Sequence, residues 1–364
     1  MRPEIKSALI MGIIIAAAIG GLGAYFTSLE TPTNANSDNA KISSVDKSSF
    51  KKAPELKGIA GYINTDADGL KDQIKGKVVL YDIWTYSCIN CQRTLPYITA
   101  WNEKYADKGL VIVGIHSPEF EFEKDINNVK QATEKFGITY PVVLDNDKQI
   151  WNAFGNNYWP RKYIADDEGY IRYDHIGEGG YAETEKIIQD LLKERAVRLG
   201  FGVASAQPLV DIQESGNGAS TPELYFGYDF VYGRDQFGNS EGFHPDKEVT
   251  YSSPDQLQSD HFYLDGTWKN ISDRMRLVSD SGTVKLPYFA KDVNIVASGE
   301  SDLTILLDGK PISQQDSGTD VKDGKVHTSE SRLYNIVKTK EPGGHTVEIH
   351  VDRPGFEIYT FTFG

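Results

Sequence analysis

Apolar residues fall into short runs separated by turn-forming residues, and their spacing predicts an alternation of strands and helices. Residues 78–84, Val-Val-Leu-Tyr-Asp-Ile-Trp, form a mostly apolar run that is typical of a buried central strand. Residues 92–108 have helical composition, and Pro96 should bend this helix because proline has no N–H to donate. The pattern therefore predicts a central strand that leads into a kinked helix.

The same alternation continues along the chain to residue 197. Further elements are predicted in the order strand, helix, strand, helical turn, strand, edge strand and helix, at residues 110–115, 122–136, 141–144, 151–154, 161–165, 170–175 and 182–193. These elements predict an α/β domain over residues 53–197.

Beyond a linker at residues 198–221, the pattern changes to strands alone. Residues 303–307, 347–351 and 358–362 show alternation or strong strand propensity between turn residues. We therefore predict an all-β sandwich over residues 222–364. Its one tryptophan, Trp268, is expected in the core rather than on the surface as a platform for a sugar.

The N-terminal region carries a third kind of pattern. Residues 7–26 are uncharged and rich in Ile, Ala and Gly, and a helix of this length spans about 30 Å, the thickness of a bilayer core. Arg2 and Lys6 precede the segment, so the positive-inside rule predicts a cytoplasmic tail at residues 1–6 and a single-pass anchor in the cell membrane. A cleaved signal peptide is the alternative. The polar residues 27–52 are predicted to be a flexible tether that leaves the domains on the extracytoplasmic side.

Cys88 and Cys91 are the only cysteines of the 364 residues, and they lie between the apolar run and the kinked helix. Two thiols at this spacing at the start of a helix can bond, and the helix N-terminus favours the thiolate of the first. A structural zinc site would need four ligands, and closing so short a loop stabilises a fold little. We therefore predict a redox-active disulfide, with Cys88 as the nucleophile, Cys91 as the resolving thiol and no bound metal.

Four landmarks around this pair resemble the thioredoxin fold. Thioredoxins carry an Asp six residues and a Trp four residues before the first cysteine, where Asp82 and Trp84 stand, and Pro96 matches the proline of their active-site helix. Trp159-Pro160 is the candidate for their cis-proline loop, which with Trp84 is expected to contact substrate. Burial would raise the pKa of Asp82, so that this carboxylate accepts the proton of the resolving thiol near neutral pH.

Longer phrases resemble the DipZ family over residues 54–364, among them WTYSCINCQRTLPY, GIHSPEFEFEKD, YPVVLDND and YWPRKYIADDEG. The resemblance implies the strand and helix insertion of TlpA-like proteins and peroxiredoxins. It also implies a following jelly-roll domain like those that bind carbohydrate, with a glycan, cell-wall or protein-docking role. Because TlpA-like proteins often hold a carboxylate near the dithiol, His116 and Glu119 are further candidates.

Members of the DipZ family also carry a CcdA-like electron-transfer domain in the membrane, which this sequence does not contain. The resemblance thus implies a separate CcdA- or DsbD-like membrane protein as electron donor, and exported disulfide-containing proteins as substrates. The net charge of −14 argues against a nucleic-acid partner, and no cofactor is expected.

The resulting hypothesis is a membrane-tethered thiol:disulfide oxidoreductase that reduces or isomerises disulfides. Two alternatives stay open at this point. A peroxiredoxin-type peroxidase is suggested by Thr85-x-x-Cys88, although Tyr81 stands where those enzymes have proline. The other is a surface glycan-binding protein in which the dithiol domain is accessory.

Overall fold

The computed structural model describes residues 46–202, 208–213, 218–231 and 233–364. The predicted cytoplasmic tail (1–6), the predicted anchor (7–26) and most of the predicted tether (27–52) lie outside these residues. None of the helices in the described part of the chain combines the length and the apolar character needed to span a bilayer. The described residues from Lys47 onward form one compact unit.

The first part of this unit is an α/β domain, as predicted. Its strands are β1 (Gly61–Ile63), β2 (Val78–Trp84), β3 (Leu110–His116), β4 (Val142–Leu144), β5 (Arg161–Ala165) and β6 (Ile171–Ile176). Its α-helices are α1 (Ala67–Ile74), α2 (Ile89–Tyr105), α3 (Ile126–Lys135), α4 (Gln149–Ala153) and α5 (Tyr181–Arg198), and short 3-10 helices lie at Ala106–Lys108 and Glu121–Lys124.

The six strands form one sheet in the order β1-β4-β3-β2-β5-β6. β2 runs parallel to β3, and β3 runs parallel to β4, while β5 is antiparallel to β2. Every residue of β2 is buried, because apolar clusters cover both faces of the sheet, which explains the apolar composition of this strand. The carboxyl ends of β2 and β3 lie side by side, so the loops that follow them meet at one edge.

The structure differs from the sequence prediction at several boundaries. The helix predicted over residues 122–136 is divided at Asp125, whose side chain caps α3 by accepting a hydrogen bond from Asn127 N–H at 2.8 Å. β1 and α1 were not predicted, since β1 has only three residues and pairs at the sheet edge. Lys47, which precedes the predicted start of the domain at residue 53, already forms ion pairs with Asp166 and Glu194 of the α/β domain.

Part of the predicted linker is also packed against the α/β domain. α5 continues to Arg198, and beyond it Val210 N–H donates to Glu185 at 2.7 Å. Ile212 packs against the core and accepts a hydrogen bond from the Tyr97 hydroxyl at 2.9 Å. The described residues 208–213 are therefore held in place by specific contacts.

The second part of the unit contains strands only. They are β7 (Leu224–Tyr225), β8 (Glu248–Tyr251), β9 (Tyr263–Asn270), β10 (Met275–Leu277), β11 (Gly282–Ser298), β12 (Ser301–Leu307), β13 (Lys310–Pro311), β14 (Lys325–Thr328), β15 (Arg332–Val351) and β16 (Glu357–Phe363). Together they form a large sheet with the main order β13-β12-β15-β11-β16-β10-β9-β8. Trp268 is fully buried in its core, as predicted.

The long strands β11 and β15 pair along most of their length, with an irregularity between Ala290 and Asp292. Before this irregularity β11 also pairs with β9, and after it β11 pairs with β16. The two halves of β11 therefore have different second neighbours.

An aromatic cluster, termed here the interdomain cluster, joins the α/β domain to the β domain; it consists of Phe120, Phe122, Tyr225, Phe230 and Tyr359. Phe120 follows β3 and is 1% exposed, with the rings of Phe230 and Tyr359 at 5.7 and 5.1 Å. Phe122 lies edge-on to Tyr359 at 4.8 Å. Burial of these rings fixes the loop after β3 against β16.

Candidate dithiol site

The two cysteines lie at the start of α2, immediately beyond the carboxyl end of β2. Cys88 is the N-cap residue, and its Sγ accepts a hydrogen bond from Cys91 N–H at 3.3 Å. This N–H is one of the first-turn donors that a helix leaves without a backbone partner, so it stabilises negative charge on Sγ. Both thiols are free; Cys88 is partly exposed and Cys91 is buried. A substrate can therefore reach Cys88 but not Cys91.

Cys91 is held in the thiol form by its surroundings. Burial raises its pKa well above the ordinary value, and the neighbouring Cys88 and Asp82 raise it further. The thiol consequently needs a base before it can act as a nucleophile.

Asp82 lies on β2 below the dithiol and is 1% exposed. Its Oδ1 atom has no hydrogen-bond partner among the described residues. Burial raises the pKa of this carboxyl to about 7, and the charge of Lys162 acts in the opposite direction. A carboxyl group with this pKa exchanges its proton near neutral pH.

Lys162 was not identified from the sequence. It is the direct neighbour of Asp82 across the β2–β5 pairing, is fully buried, and donates from Nζ to the Gly177 carbonyl at 3.1 Å. Burial lowers its pKa to about 8, although the charges of Asp82 and Cys91 favour the ammonium form. The sequence does show a lysine within a predicted strand, between Arg161 and Tyr163. Only the pairing of β5 with β2, however, places this lysine beside Asp82.

Glu123 organises the loop that carries the cysteines, and it too was missed. One carboxylate oxygen accepts from Ser87 Oγ at 2.5 Å and lies 3.4 Å from Ser87 N, while the other accepts from the N–H groups of Glu119 and Phe120 at 2.6 and 3.0 Å. The side chain is fully buried. It links the residue before Cys88 to the loop after β3.

His116 and Trp84 lie beneath the same loop. The His116 Nε2 atom lies 3.3 Å from Thr85 Oγ1 and 3.4 Å from Tyr86 N, and burial lowers the pKa of this imidazole to about 3. His116 is thus neutral and supports the backbone. Trp84 is fully buried against the His116 ring, so the structure places it in the core rather than in contact with substrate, which corrects the predicted role.

Cys88 opens onto a cavity of about 250 Å³ that both domains line. Trp159 and Glu119 border it from the α/β domain, and the Trp159–Pro160 peptide is cis, as predicted. Trp159 Nε1 donates to the Ser117 carbonyl at 2.9 Å, which fixes the indole beside the cavity. The β domain and the end of the predicted linker contribute a further part of the lining, formed by Ala219, Thr221, Pro222, Glu223, Tyr225, Thr362 and Phe363.

The histidines of the β domain do not cluster, and His261 among them is buried. His327 and His345 contact the carboxylates of Asp302 and Asp308 at 2.9 and 2.8 Å, as isolated pairs. In the parts of the chain that the structure describes, no group of three or more His, Cys, Asp or Glu side chains is arranged to hold a metal ion.

Comparison with known families matches the two halves of the chain separately. Residues 51–192 match the family described as "Redoxin", and residues 221–364 match the family described as "Thioredoxin like C-terminal domain". Protein DipZ of Mycobacterium tuberculosis is 33% identical over 333 residues, which are 91% of this chain and 45% of that protein. The chain thus spans less than half the length of this relative.

Shorter relatives match the α/β domain alone. The thiol-disulfide oxidoreductase YkuV of Bacillus subtilis is 31% identical over 142 residues, which are 39% of this chain and 94% of that protein. A solution structure of a thioredoxin-like protein in the oxidised form is 30% identical and covers 40% of this chain and 97% of its own, with a TM-score of 0.36.

These relatives support an oxidoreductase and do not favour the peroxiredoxin alternative. They also confirm the resemblance on which the sequence prediction of the family relied. The chain therefore belongs to the thioredoxin-like thiol-disulfide oxidoreductases and, among these, to the DipZ family.

Proposed function

We propose that the protein is an extracytoplasmic thiol:disulfide oxidoreductase that reduces or isomerises disulfides of exported proteins. The observation that carries this proposal is the arrangement of a partly exposed Cys88 at a helix N-terminus above a buried Cys91. This geometry separates an attacking thiol from a resolving thiol, as dithiol exchange requires.

Reduction proceeds in two displacements at sulfur. The Cys88 thiolate attacks one sulfur of the substrate disulfide, so that a mixed disulfide forms and the other substrate sulfur leaves as a thiolate. The Cys91 sulfur then attacks Cys88 Sγ, which closes the Cys88–Cys91 disulfide and releases the second substrate sulfur. The two electrons come from the protein dithiol, and the leaving thiolates take up protons to become thiols.

Asp82 serves the second displacement. With a pKa of about 7, this buried carboxylate accepts the Cys91 proton near neutral pH. Lys162 lies beside it on the neighbouring strand and favours the ionised carboxylate before the transfer. Both residues are buried.

Replacing Cys91 with serine tests the order of attack. The Cys91→Ser variant is expected to accumulate mixed disulfides through Cys88, which are visible on non-reducing gels and identified by mass spectrometry. The Cys88→Ser variant serves as the matched control and should form none. Equal trapping by both variants, or no trapping by either, would contradict the proposed roles.

The apolar residues 7–26 support a proposal for the location of this chemistry. We propose that they anchor the chain in the cell membrane with the N-terminus in the cytoplasm, so that the dithiol lies where disulfides persist. A CcdA- or DsbD-like membrane protein would then return electrons to the oxidised dithiol. Labelling of Cys88 in intact cells by a membrane-impermeant maleimide is the expected result, and protection until the cells are lysed would contradict it.

β11 pairs with β9 in its first half and with β16 in its second half. This change of neighbouring strands supports a jelly-roll sandwich for the β domain. The glycan ligand implied by family resemblance lacks an aromatic platform at Trp268, which is buried. We propose instead that this domain serves the dithiol, because it supplies one wall of the Cys88 cavity. Glycan-array binding by the full chain, abolished by substitutions on the β domain, would favour the alternative.

A further inference from the structure

Three polar side chains meet in the wall of the Cys88 cavity, and two of them come from the β domain. The Tyr225 hydroxyl lies 2.8 Å from Glu119 Oε1 and 3.0 Å from Glu223 Oε2. Glu119, Tyr225 and Glu223 all line the cavity onto which Cys88 opens. The phenol therefore bridges two carboxyl groups across the domain boundary.

This bridge constrains the number of protons. A tyrosine hydroxyl carries one proton and can donate it to only one of the two carboxyl oxygens. The second contact is a hydrogen bond only if that carboxyl group is protonated and donates to the phenol oxygen. Two ionised carboxylates and a neutral phenol hold one proton between them. When both contacts are hydrogen bonds, the three groups hold two protons.

The two carboxyl groups differ in their access to water. Glu223 is an exposed residue at the rim, whereas Glu119 is partly buried inside. Burial of the Glu223 carboxyl group nevertheless raises its pKa, while the Tyr225 hydrogen bond and the charge of Arg234, which lies 4.7 Å from the Tyr225 ring, lower it.

Burial raises the pKa of Glu119 well above its ordinary value, and the negative charges of Glu223 and Glu123 add to this effect. The Tyr225 hydrogen bond and the charge of Lys148 act in the opposite direction. Burial and these negative charges therefore favour the protonated form of Glu119.

We propose that Glu223, Tyr225 and Glu119 form a relay that carries a proton from solvent into the Cys88 cavity and gives it to the thiolate leaving the substrate. This inference rests on the proposed function. Glu119 first protonates the leaving sulfur and becomes a carboxylate. Glu223, protonated from water, then gives its proton to the Tyr225 oxygen while the Tyr225 proton passes to Glu119, which restores the starting state. The electrons for the new disulfide come from the Cys88 thiolate, and none pass through the relay.

The relay matters most for poor leaving groups. An alkyl thiolate leaves slowly unless it is protonated as the S–S bond breaks, whereas an aromatic thiolate of low pKa leaves without help. The β domain therefore favours disulfides between ordinary cysteines, which are the substrates expected for this enzyme.

The Tyr225→Phe variant removes the central hydroxyl but keeps the ring, which stacks on Phe230 at 5.1 Å. We would measure single-turnover rates of the pre-reduced full chain with two substrates, oxidised glutathione and the aromatic disulfide dithiobis(nitrobenzoate). The rate with oxidised glutathione should fall about tenfold or more, because general acid assistance is lost. The rate with the aromatic disulfide should stay within about twofold, because its thiolate leaves unaided.

Glu119→Gln should likewise lower the rate with oxidised glutathione but not the rate with the aromatic disulfide. In the pH profile of the glutathione rate, this variant should also lack the decline on the alkaline side. Tyr359→Phe is the matched control, since its hydroxyl contacts Ser298 and Glu357 in the same interdomain cluster but does not line the cavity. Equal losses with both disulfides, or no loss with glutathione, would overturn the relay. Failure of the wild-type protein to reduce either disulfide would instead overturn the proposed function.

Discussion

Substitution of Glu123 tests whether a single carboxylate holds the cysteine loop against the loop after β3. Its two oxygens face four donors, namely one hydroxyl and three backbone N–H groups contributed by Ser87, Glu119 and Phe120. Because the side chain is fully buried, these donors have no alternative partner in the folded protein.

The size of the effect follows from those contacts. A buried donor left without a partner costs about 1–3 kcal/mol, but water can enter the space that a smaller side chain leaves. For Glu123→Ala we therefore expect a loss of about 3–5 kcal/mol in the free energy of unfolding.

Glu123→Gln should cost less. Its carbonyl oxygen can serve the Glu119 and Phe120 N–H groups, and its NH₂ can donate to the Ser87 hydroxyl, but the Ser87 N–H loses its long contact with an acceptor. The loss of this contact and of the charge assistance should cost about 1–3 kcal/mol.

Urea unfolding of the full chain with a reduced dithiol measures both values. Glu121→Ala is the matched control on the same 3-10 helix, because the Glu121–Lys124 ion pair is exposed and should contribute less than about 1 kcal/mol. The reasoning is refuted if Glu123→Ala unfolds within about 1 kcal/mol of this control, or if the Gln and Ala variants are equally unstable.

Two further variants address the proton acceptor and the domain boundary. The pKa of Asp82 rises from 3.8 to about 7 on folding, so the unfolded chain releases this proton first and wild-type stability should fall as pH rises between these values. The stability of Asp82→Asn relative to wild type should therefore increase as pH rises from about 4 to about 7 and stay constant above that range. Urea titrations at several pH values measure this difference. A difference that does not change with pH would contradict the raised pKa of Asp82. Phe120→Ala should cost about 3–5 kcal/mol and increase protease cleavage between the domains, because it empties the centre of the interdomain cluster. The exposed Phe289→Ala should leave both measurements unchanged, and equal cleavage of the two variants would argue against the cluster as the link.

The parts of the site that could be predicted from the sequence are those encoded locally. An apolar run followed at once by two cysteines and a helix with an internal proline defines β2, the dithiol and α2 without reference to the rest of the chain. Asp82 was predicted with them because its spacing from Cys88 lies within this segment.

The remaining site residues depend on contacts between distant segments. Lys162 is placed beside Asp82 only by the register of two strands that are about eighty residues apart. Glu123 lies in a stretch of alternating Glu and Phe that resembles an exposed helix, and only its contact with Ser87, 36 residues earlier, ties it to the cysteine loop. Tyr225 reaches the cavity across the domain boundary, so no local pattern indicates its role.

The interdomain cluster has a consequence for the evolution of this architecture. Without the β domain, the faces of Phe120 and Phe122 that pack against Tyr359 would be exposed, and an exposed aromatic patch promotes aggregation. The two domains therefore cannot be exchanged independently as modules. Relatives that consist of the α/β domain alone, such as YkuV, are expected to carry polar residues at the positions aligned with Phe120 and Phe122. Acquisition of the β domain would then have required aromatic residues at both positions together with the β-domain surface that covers them.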